Sequence, residues 1–270
     1  MTLDRVARDG LVLLGCGKMG TALLTGWLGA GVPAASVWVI EPNPTDWLAA
    51  SGVHLNKGVP PGPAVALLAV KPQMMGAALP ALQALGNGTT LFVSIAAGTT
   101  IATFEGALGT LTPIVRTMPN TPAMVNRGIT ALCRNAHVSD ADMALAVALM
   151  AAVGETVVLD GEHQIDAVTA VSGSGPAYVF HLIEAMAAAA EAEGLPPEVA
   201  MKLARATVCG AGELAYRSPD SAAQLRINVT SPGGTTAAAL AVLMDAETGF
   251  PSVLKRAVKA AADRGRELGK

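Results

Sequence analysis

Between Leu11 and about Leu159 the chain alternates short runs of apolar residues with longer stretches of helical spacing, and after Asp160 the short runs stop. The runs are LVLLG at 11–15, SVWVIE at 36–41, AVALLAV at 64–70, TLFVSIA at 90–96 and PIVRTM at 113–118. Read as strands with helices between them, they predict an α/β fold that opens with a Rossmann-type, doubly wound parallel sheet over residues 1–160. The remainder, 161–270, carries Ala-rich segments at 177–195, 198–216 and 251–268. These predict an all-α second domain. Gly210 and Gly212 would let its helices approach closely, within one chain or between two subunits. The cluster NKGVPPGPA at 56–64 is a connection between strands.

Composition narrows the class. Of 270 residues, 51% are apolar but only 3% aromatic, and the mean hydropathy is +0.46. Charges interrupt every apolar run before the roughly 18 residues that a membrane span needs, so no membrane partner is expected. The apolar surplus must then be buried elsewhere, and a subunit interface would take it, which makes a homo-oligomer built from dimers the expectation. A net charge of −3 with no basic run excludes nucleic acid as the expected partner and leaves a small molecule. The start MTLDRVARDG lacks the basic and apolar regions of a secretory signal, so the expected location is cytoplasmic. Cys16, Cys133 and Cys209 are widely spaced and read as reduced core thiols. His54, His137, His163 and His181 have no metal-ligand spacing, and no metal is expected.

Chemistry enters with LVLLGCGKMGTALLTGWL. Gly15, Gly17 and Gly20 form G-x-G-x-x-G after a strand and before a helix, the context in which that motif binds a dinucleotide. The glycines allow a tight turn and close approach of a pyrophosphate, whose charge meets the free N–H groups of the helix start. Glu41 ends the second strand, where a carboxylate accepts hydrogen bonds from a ribose 2′-hydroxyl and repels a 2′-phosphate, a tilt towards NADH over NADPH. Asn43 and Thr45 beside it could still serve a phosphate. Three more loops leave the same sheet edge: Ala69–Gln73, Ser94–Gly98 and Arg116–Ala123. Their prolines fix the backbone, and Ala96, Ala97 and Gly98 leave room for something flat. A general base is missing. The helix that follows SGSGPAY has no Lys, so alcohol oxidation by a hydroxyacid dehydrogenase is poorly supported. A cofactor-binding regulator without turnover is the other alternative, and it would have no need of both an intact glycine loop and SPGGTT.

The ordered segments GCGKMG, AVKPQ, SIAAG, RTMPNTPA, SGSGPAY and NVTSPGGTT resemble the pyrroline-5-carboxylate reductase family across nearly the whole chain. The resemblance implies hydride transfer from NADPH or NADH to a cyclic imine, giving L-proline, with a dinucleotide domain followed by a helical dimerisation domain. A protonated imine carbon is already electrophilic, so positioning can replace a base. For the cofactor, the glycine loop offers Gly15, Cys16, Gly17, Lys18, Met19 and Gly20, with Glu41 at the end of the second strand, and the resemblance implies Asn56. Further along it implies Ala69, Val70, Lys71 and Pro72, then Ile95, Ala96 and Ala97, then Met118, Pro119 and Asn120, and finally Glu162 and Asn228. For the substrate it implies Ser231, Gly233, Gly234, Thr235 and Thr236, with the Thr236 hydroxyl bonding the ring nitrogen, and Ser174 nearby. Ser231 is expected to cap the helix, with Pro232 in its first turn and the N–H groups after Gly233 and Gly234 facing the substrate carboxylate. Pro176 is expected to open a second helix whose start can also take an anion. Many members of the family carry Ser, Asn or Arg patterns suited to NADPH where this chain has Glu41, which leaves the cofactor preference open.

Overall fold

A computed structural model describes residues 3–269; Met1, Thr2 and Lys270, at the outer ends of the two expected domains, lie outside the described residues. The chain divides into two compact units, residues 1–173 with 261–270, and residues 174–260.

In the first unit α1 (Asp4–Asp9) leads into β1 (Leu11–Leu14), α2 (Lys18–Gly29), β2 (Val37–Ile40), α3 (Asp46–Ala50), β3 (His54–Leu55) and β4 (Val65–Leu68). There follow α4 (Pro72–Ala78), β5 (Leu91–Ser94), α5 (Ile101–Leu108), β6 (Ile114–Met118), β7 (Gly128–Arg134), α6 (Asp140–Ala151), β8 (Gly154–Val158) and α7 (Ile165–Val168). The eight strands form one sheet in the order β3-β2-β1-β4-β5-β6-β7-β8. All five strands read from the apolar runs are present. Three were not foreseen: β3, β7 and β8. The sheet is also not wholly parallel, because β7 runs antiparallel to β6. Their connection holds only a 3₁₀ turn, Thr121–Val125, and a return without a crossover helix makes neighbouring strands antiparallel.

Strand residues alternate between two cores. Leu11, Leu13, Val37, Val39, Val65 and Leu67 face one side with Leu23, Leu24 and Trp27 of α2 and Leu149 of α6. Val12, Leu14, Ala66, Leu68 and Phe92 face the other with Met75 of α4 and Phe104 of α5. Both faces are covered, so the strands read as continuous apolar runs rather than as alternations. The one polar atom of Trp27 is satisfied, since Nε1 donates to the Leu149 carbonyl at 2.9 Å. Ile165 belongs to the second core, and Ala170 is fully buried, so the stretch 161–173 packs with the sheet unit.

The second unit contains α8 (Gly175–Ala192), α9 (Pro197–Arg217), α10 (Ala222–Asn228), α11 (Thr235–Leu243) and most of α12 (Phe250–Leu268). Its buried hydrophobics are three alanines, Ala187, Ala200 and Ala204. Among the described residues no atom of another element lies within 4 Å of where a Cβ would stand on Gly210 or Gly212, so neither meets another of these helices. Cys209, on α9, is exposed; the reading as a core thiol holds for Cys16 and Cys133 alone.

Candidate active site

From β1 the chain goes outward through β2 to β3, then returns to β4 on the other side of β1 and goes outward through β5 and β6. That reversal opens a crevice at the carboxyl ends of β1 and β4, the place where ligands bind open sheets of this kind. The ladder continues one residue past each strand: Gly15 N–H donates to the Ile40 carbonyl, Ala69 to Leu14, Ile95 to Leu68 and Asn56 to Val39, at 2.8–3.1 Å. These bonds bring the glycine loop, Ala69–Pro72, Ile95–Ala97 and Asn56 to one edge.

Within the glycine loop each glycine has a separate physical reason. Gly15 has φ +90°, and a Cβ there would press on Val70 and the Ala69 backbone. A Cβ on Gly20 would stand 2.7 Å from the Gly15 carbonyl oxygen, so α2 can lie this close to the loop only without a side chain. Around Gly17 there is open space, and it is the exposed N-cap of α2 with no side-chain cap. The first turn of α2 contains no acid and carries the exposed Lys18 beside the half-buried Met19. Unpaired N–H groups, a positive helix end and an ammonium together suit an anion such as a pyrophosphate, so the residues fit a dinucleotide. Cys16 is buried and its N–H is already held; burial pushes its thiol pKa up, against a lowering contact from Thr21 and with Glu41 adding to the rise.

Glu41 is turned onto this loop. Its Oε2 accepts from Cys16 N–H at 2.8 Å and its Oε1 from Asn43 N–H at 2.9 Å. Asn56, at φ +52°, clasps the Glu41 backbone in both directions, accepting from its N–H and donating to its carbonyl, each at 2.9 Å. Asn43 N–H is therefore committed, and Thr45 Oγ1 caps α3 by accepting from Leu48 N–H at 3.3 Å. Lys71 is the exposed N-cap of α4, with Pro72 in its first turn.

At the other side, Ala96 N–H donates to Ser94 Oγ at 3.2 Å, and Ala97 is exposed. Met118, Pro119 and Asn120 are buried; Asn120 Oδ1 accepts from Ile129 N–H at 2.9 Å and so binds the turn to β7. Glu162 uses a single oxygen twice: Oε1 accepts from Arg116 Nη1 at 2.6 Å and from Ile101 N–H, the start of α5, at 2.8 Å. Sequence reasoning passed over Arg116 as a site residue. The available signal was a charge in the middle of the apolar run PIVRTM.

The segment 228–236 differs from its expected form. Ser231 does not cap α11. The helix begins at Thr235 with Gly234 as its N-cap and no side-chain cap, so Pro232 precedes the first turn. Ser231 instead accepts at its carbonyl from Gly234 N–H at 3.0 Å, and Gly233 has φ +70°. Proline followed by a glycine of positive φ, closed by that bond, is a type II turn. The expected accessible N–H groups are therefore those of the uncapped first turn of α11, where Thr235 is exposed and Thr236 half-buried. Asn228 ends α10; its Oδ1 accepts from Gln224 Nε2 at 2.7 Å. Ser174 is the N-cap of α8, but it has right-handed helical angles and makes no side-chain cap, and Ala177 N–H donates to its carbonyl at 3.0 Å. A π turn, Thr169–Gly173, precedes it, and Pro176 lies in the first turn of α8, which begins at Gly175. Among the described residues no three His, Cys, Asp or Glu side chains cluster to hold a metal.

A glycine loop between β1 and α2, at the reversal point of a doubly wound sheet and followed by a helical unit, defines a dinucleotide-dependent oxidoreductase. Residues 11–98 match the family model described as NADP oxidoreductase coenzyme F420-dependent, and residues 162–268 match that described as pyrroline-5-carboxylate reductase dimerisation. The pyrroline-5-carboxylate reductase of Pseudomonas aeruginosa is 42% identical over 96% of both chains. The structure of the Coxiella burnetii enzyme superimposes with a TM-score of 0.91 at 35% identity, over 97% of this chain and 99% of that one. That of the Plasmodium falciparum pyrroline carboxylate reductase with NADP bound gives 0.81 at 28% identity, over 98% and 99%. The chain belongs to the pyrroline-5-carboxylate reductase family.

Proposed function

We propose the following division of labour among the residues of this NAD(P)H-dependent reductase. The enzyme converts 1-pyrroline-5-carboxylate to L-proline, the last step of proline biosynthesis, and the observation that carries this function is the near full-length agreement with the reductase of Pseudomonas aeruginosa. NAD(P)H supplies a hydride, whose electron pair forms the new C–H bond while the C=N π pair returns to nitrogen. An iminium nitrogen becomes a secondary amine, so the chain need not remove a proton from carbon. Its task is to place and polarise.

Gly17, Lys18 and Met19 take the pyrophosphate at the start of α2, supported by the open space at Gly17 and the absence of an acid in that turn. Ala69–Pro72, Ile95–Ala97 and Met118–Asn120 wall the remaining dinucleotide, with Asn56 and Glu162 at its sides; the family resemblance adds Asn228 to the cofactor's residues. In the helical part, the first-turn N–H groups of α11, shaped by Ser231, Gly233 and Gly234, take the substrate carboxylate with the Thr235 hydroxyl beside them. Thr236 bonds the ring nitrogen, and Ser174 lines the same substrate. Glu41 favours NADH, because its carboxylate is already fixed at the glycine loop, where a 2′-phosphate would meet a negative charge. By function, the dinucleotide domain is assigned 1–160 and the dimerisation and substrate domain 161–270, in line with the dimerisation match over 162–268, although 161–173 and 261–270 cluster with the sheet unit; dimers assemble further.

The proposed location is the cytoplasm; among the described residues no helix is long and apolar enough to cross a membrane. The test is spectrophotometric: loss of reduced nicotinamide absorbance on adding 1-pyrroline-5-carboxylate, with simple hydroxyacids and oxidised cofactor as the control. Turnover on the hydroxyacids alone would contradict the reading.

A further inference from the structure

Arg116 is the only charged side chain among the described residues that is buried, at 5% exposure. It lies on β6 between Ser94 of β5 and Cys133 of β7. Its Nη1 bonds Glu162, while its Nε is buried without any acceptor. A desolvated ion pair with an unmet donor is a poor way to stabilise a sheet, where an apolar side chain of similar volume would do as well or better. The geometry around Glu162 gives it another use. Oε1 is doubly committed, to Arg116 and to the Ile101 N–H, which fixes the carboxylate and leaves Oε2 without a partner among the described residues on a side chain that is 30% exposed. Ile101 is the residue at which the loop 95–100 enters α5, and that loop leaves the same sheet edge as the glycine loop, with the loop after β4 between them. Thr100 secures the same helix start separately, accepting from Thr103 N–H at 3.2 Å.

We propose that Arg116 is a positioning residue for the cofactor: through Glu162 it fixes the loop 95–100 and aims the free Glu162 oxygen at the bound dinucleotide. The proposal rests on the dinucleotide reading of this sheet edge. Arg116 touches neither cofactor nor substrate, so its whole influence passes through Glu162, and removing both partners is no worse than removing one.

Dinucleotide dissociation constants, measured by nicotinamide fluorescence alongside apo melting temperatures, test this on Arg116→Gln, Arg116→Lys, Glu162→Gln and the Arg116→Gln/Glu162→Gln pair. Arg116→Gln and Glu162→Gln should each raise the Kd about tenfold or more, with KM for the cofactor moving further than kcat. The double variant should equal the weaker single, and Arg116→Lys should recover most of the affinity. A folded Arg116→Gln with the parental Kd overturns the proposal, and so does a double variant whose loss is the product of the two singles. If Arg116→Gln does not fold, Arg116→Lys and Glu162→Gln decide: a parental Kd in Glu162→Gln overturns it. Failure of the unaltered protein to bind NADH or NADPH would refute the dinucleotide reading instead.

Discussion

The sheet unit and the helical unit solve the problem of burial in opposite ways. In residues 1–173 a core of large apolar side chains, Trp27, Phe92 and Phe104 among them, is fully buried within one chain. In residues 174–260 only three alanines are, while Phe180 is 61% exposed, Leu203 51%, Leu214 54% and Val242 70%. Large apolar side chains left exposed in that number point to an association face. The part that matches a dimerisation family is the part that cannot finish its own core. Stability of the cofactor half is therefore a property of the chain, and stability of the helical half is a property of the assembly.

That contrast can be broken at either side. Phe180→Asp with Leu203→Asp puts two charges on the exposed helical face, and the dimer dissociation constant should rise about a thousandfold or more, as it does when interface anchors are lost. Light scattering over a dilution series measures it. A dimer that survives both charges would place the interface elsewhere. On the sheet side, Leu13→Ala should cost about 2–5 kcal/mol whatever the protein concentration, because the cavity forms inside one chain. Urea melts at two concentrations separate the cases: the helical transition should shift with concentration and the sheet transition should not.

Smaller effects sharpen the division between chemistry and binding. Thr236→Ala should lower kcat about tenfold or more, the scale of one lost polar contact of about 1.4 kcal/mol, and should leave cofactor affinity intact. Unchanged turnover would remove Thr236 from its role. The least effect is expected from Glu41→Ser, which releases Cys16 N–H and Asn43 N–H and removes the charge opposing a 2′-phosphate. The ratio of kcat/KM should move towards NADPH by about tenfold for each 1.4 kcal/mol of repulsion relieved. A ratio that does not move would show that Glu41 never meets the ribose.

Legibility in the sequence followed the same division. β1, β4, β5 and β6, buried along their whole length, and the half-buried β2 are apolar runs and could be read directly, and the glycine loop with them. The two-residue β3 is too short to show a pattern, and β8, largely exposed at the sheet edge, has no apolar run to show. The direction of β7 depends on a connection without a helix, which periodicity does not register. Around the helical segment the residue types were legible but their geometry was not. Ser-Pro-Gly-Gly suits both a cap and a type II turn, and the choice depends on the φ of Gly233. The pairing of Arg116 with Glu162 spans 46 positions and is set by the fold alone.

The central claim is that hydride passes to the imine carbon of 1-pyrroline-5-carboxylate. Reduced nicotinamide carrying deuterium in the transferred position should yield L-proline with one deuterium on the ring carbon that bonds nitrogen and bears no carboxylate, as read by mass spectrometry and NMR. Unlabelled proline, label at any other carbon, or no proline at all would contradict it.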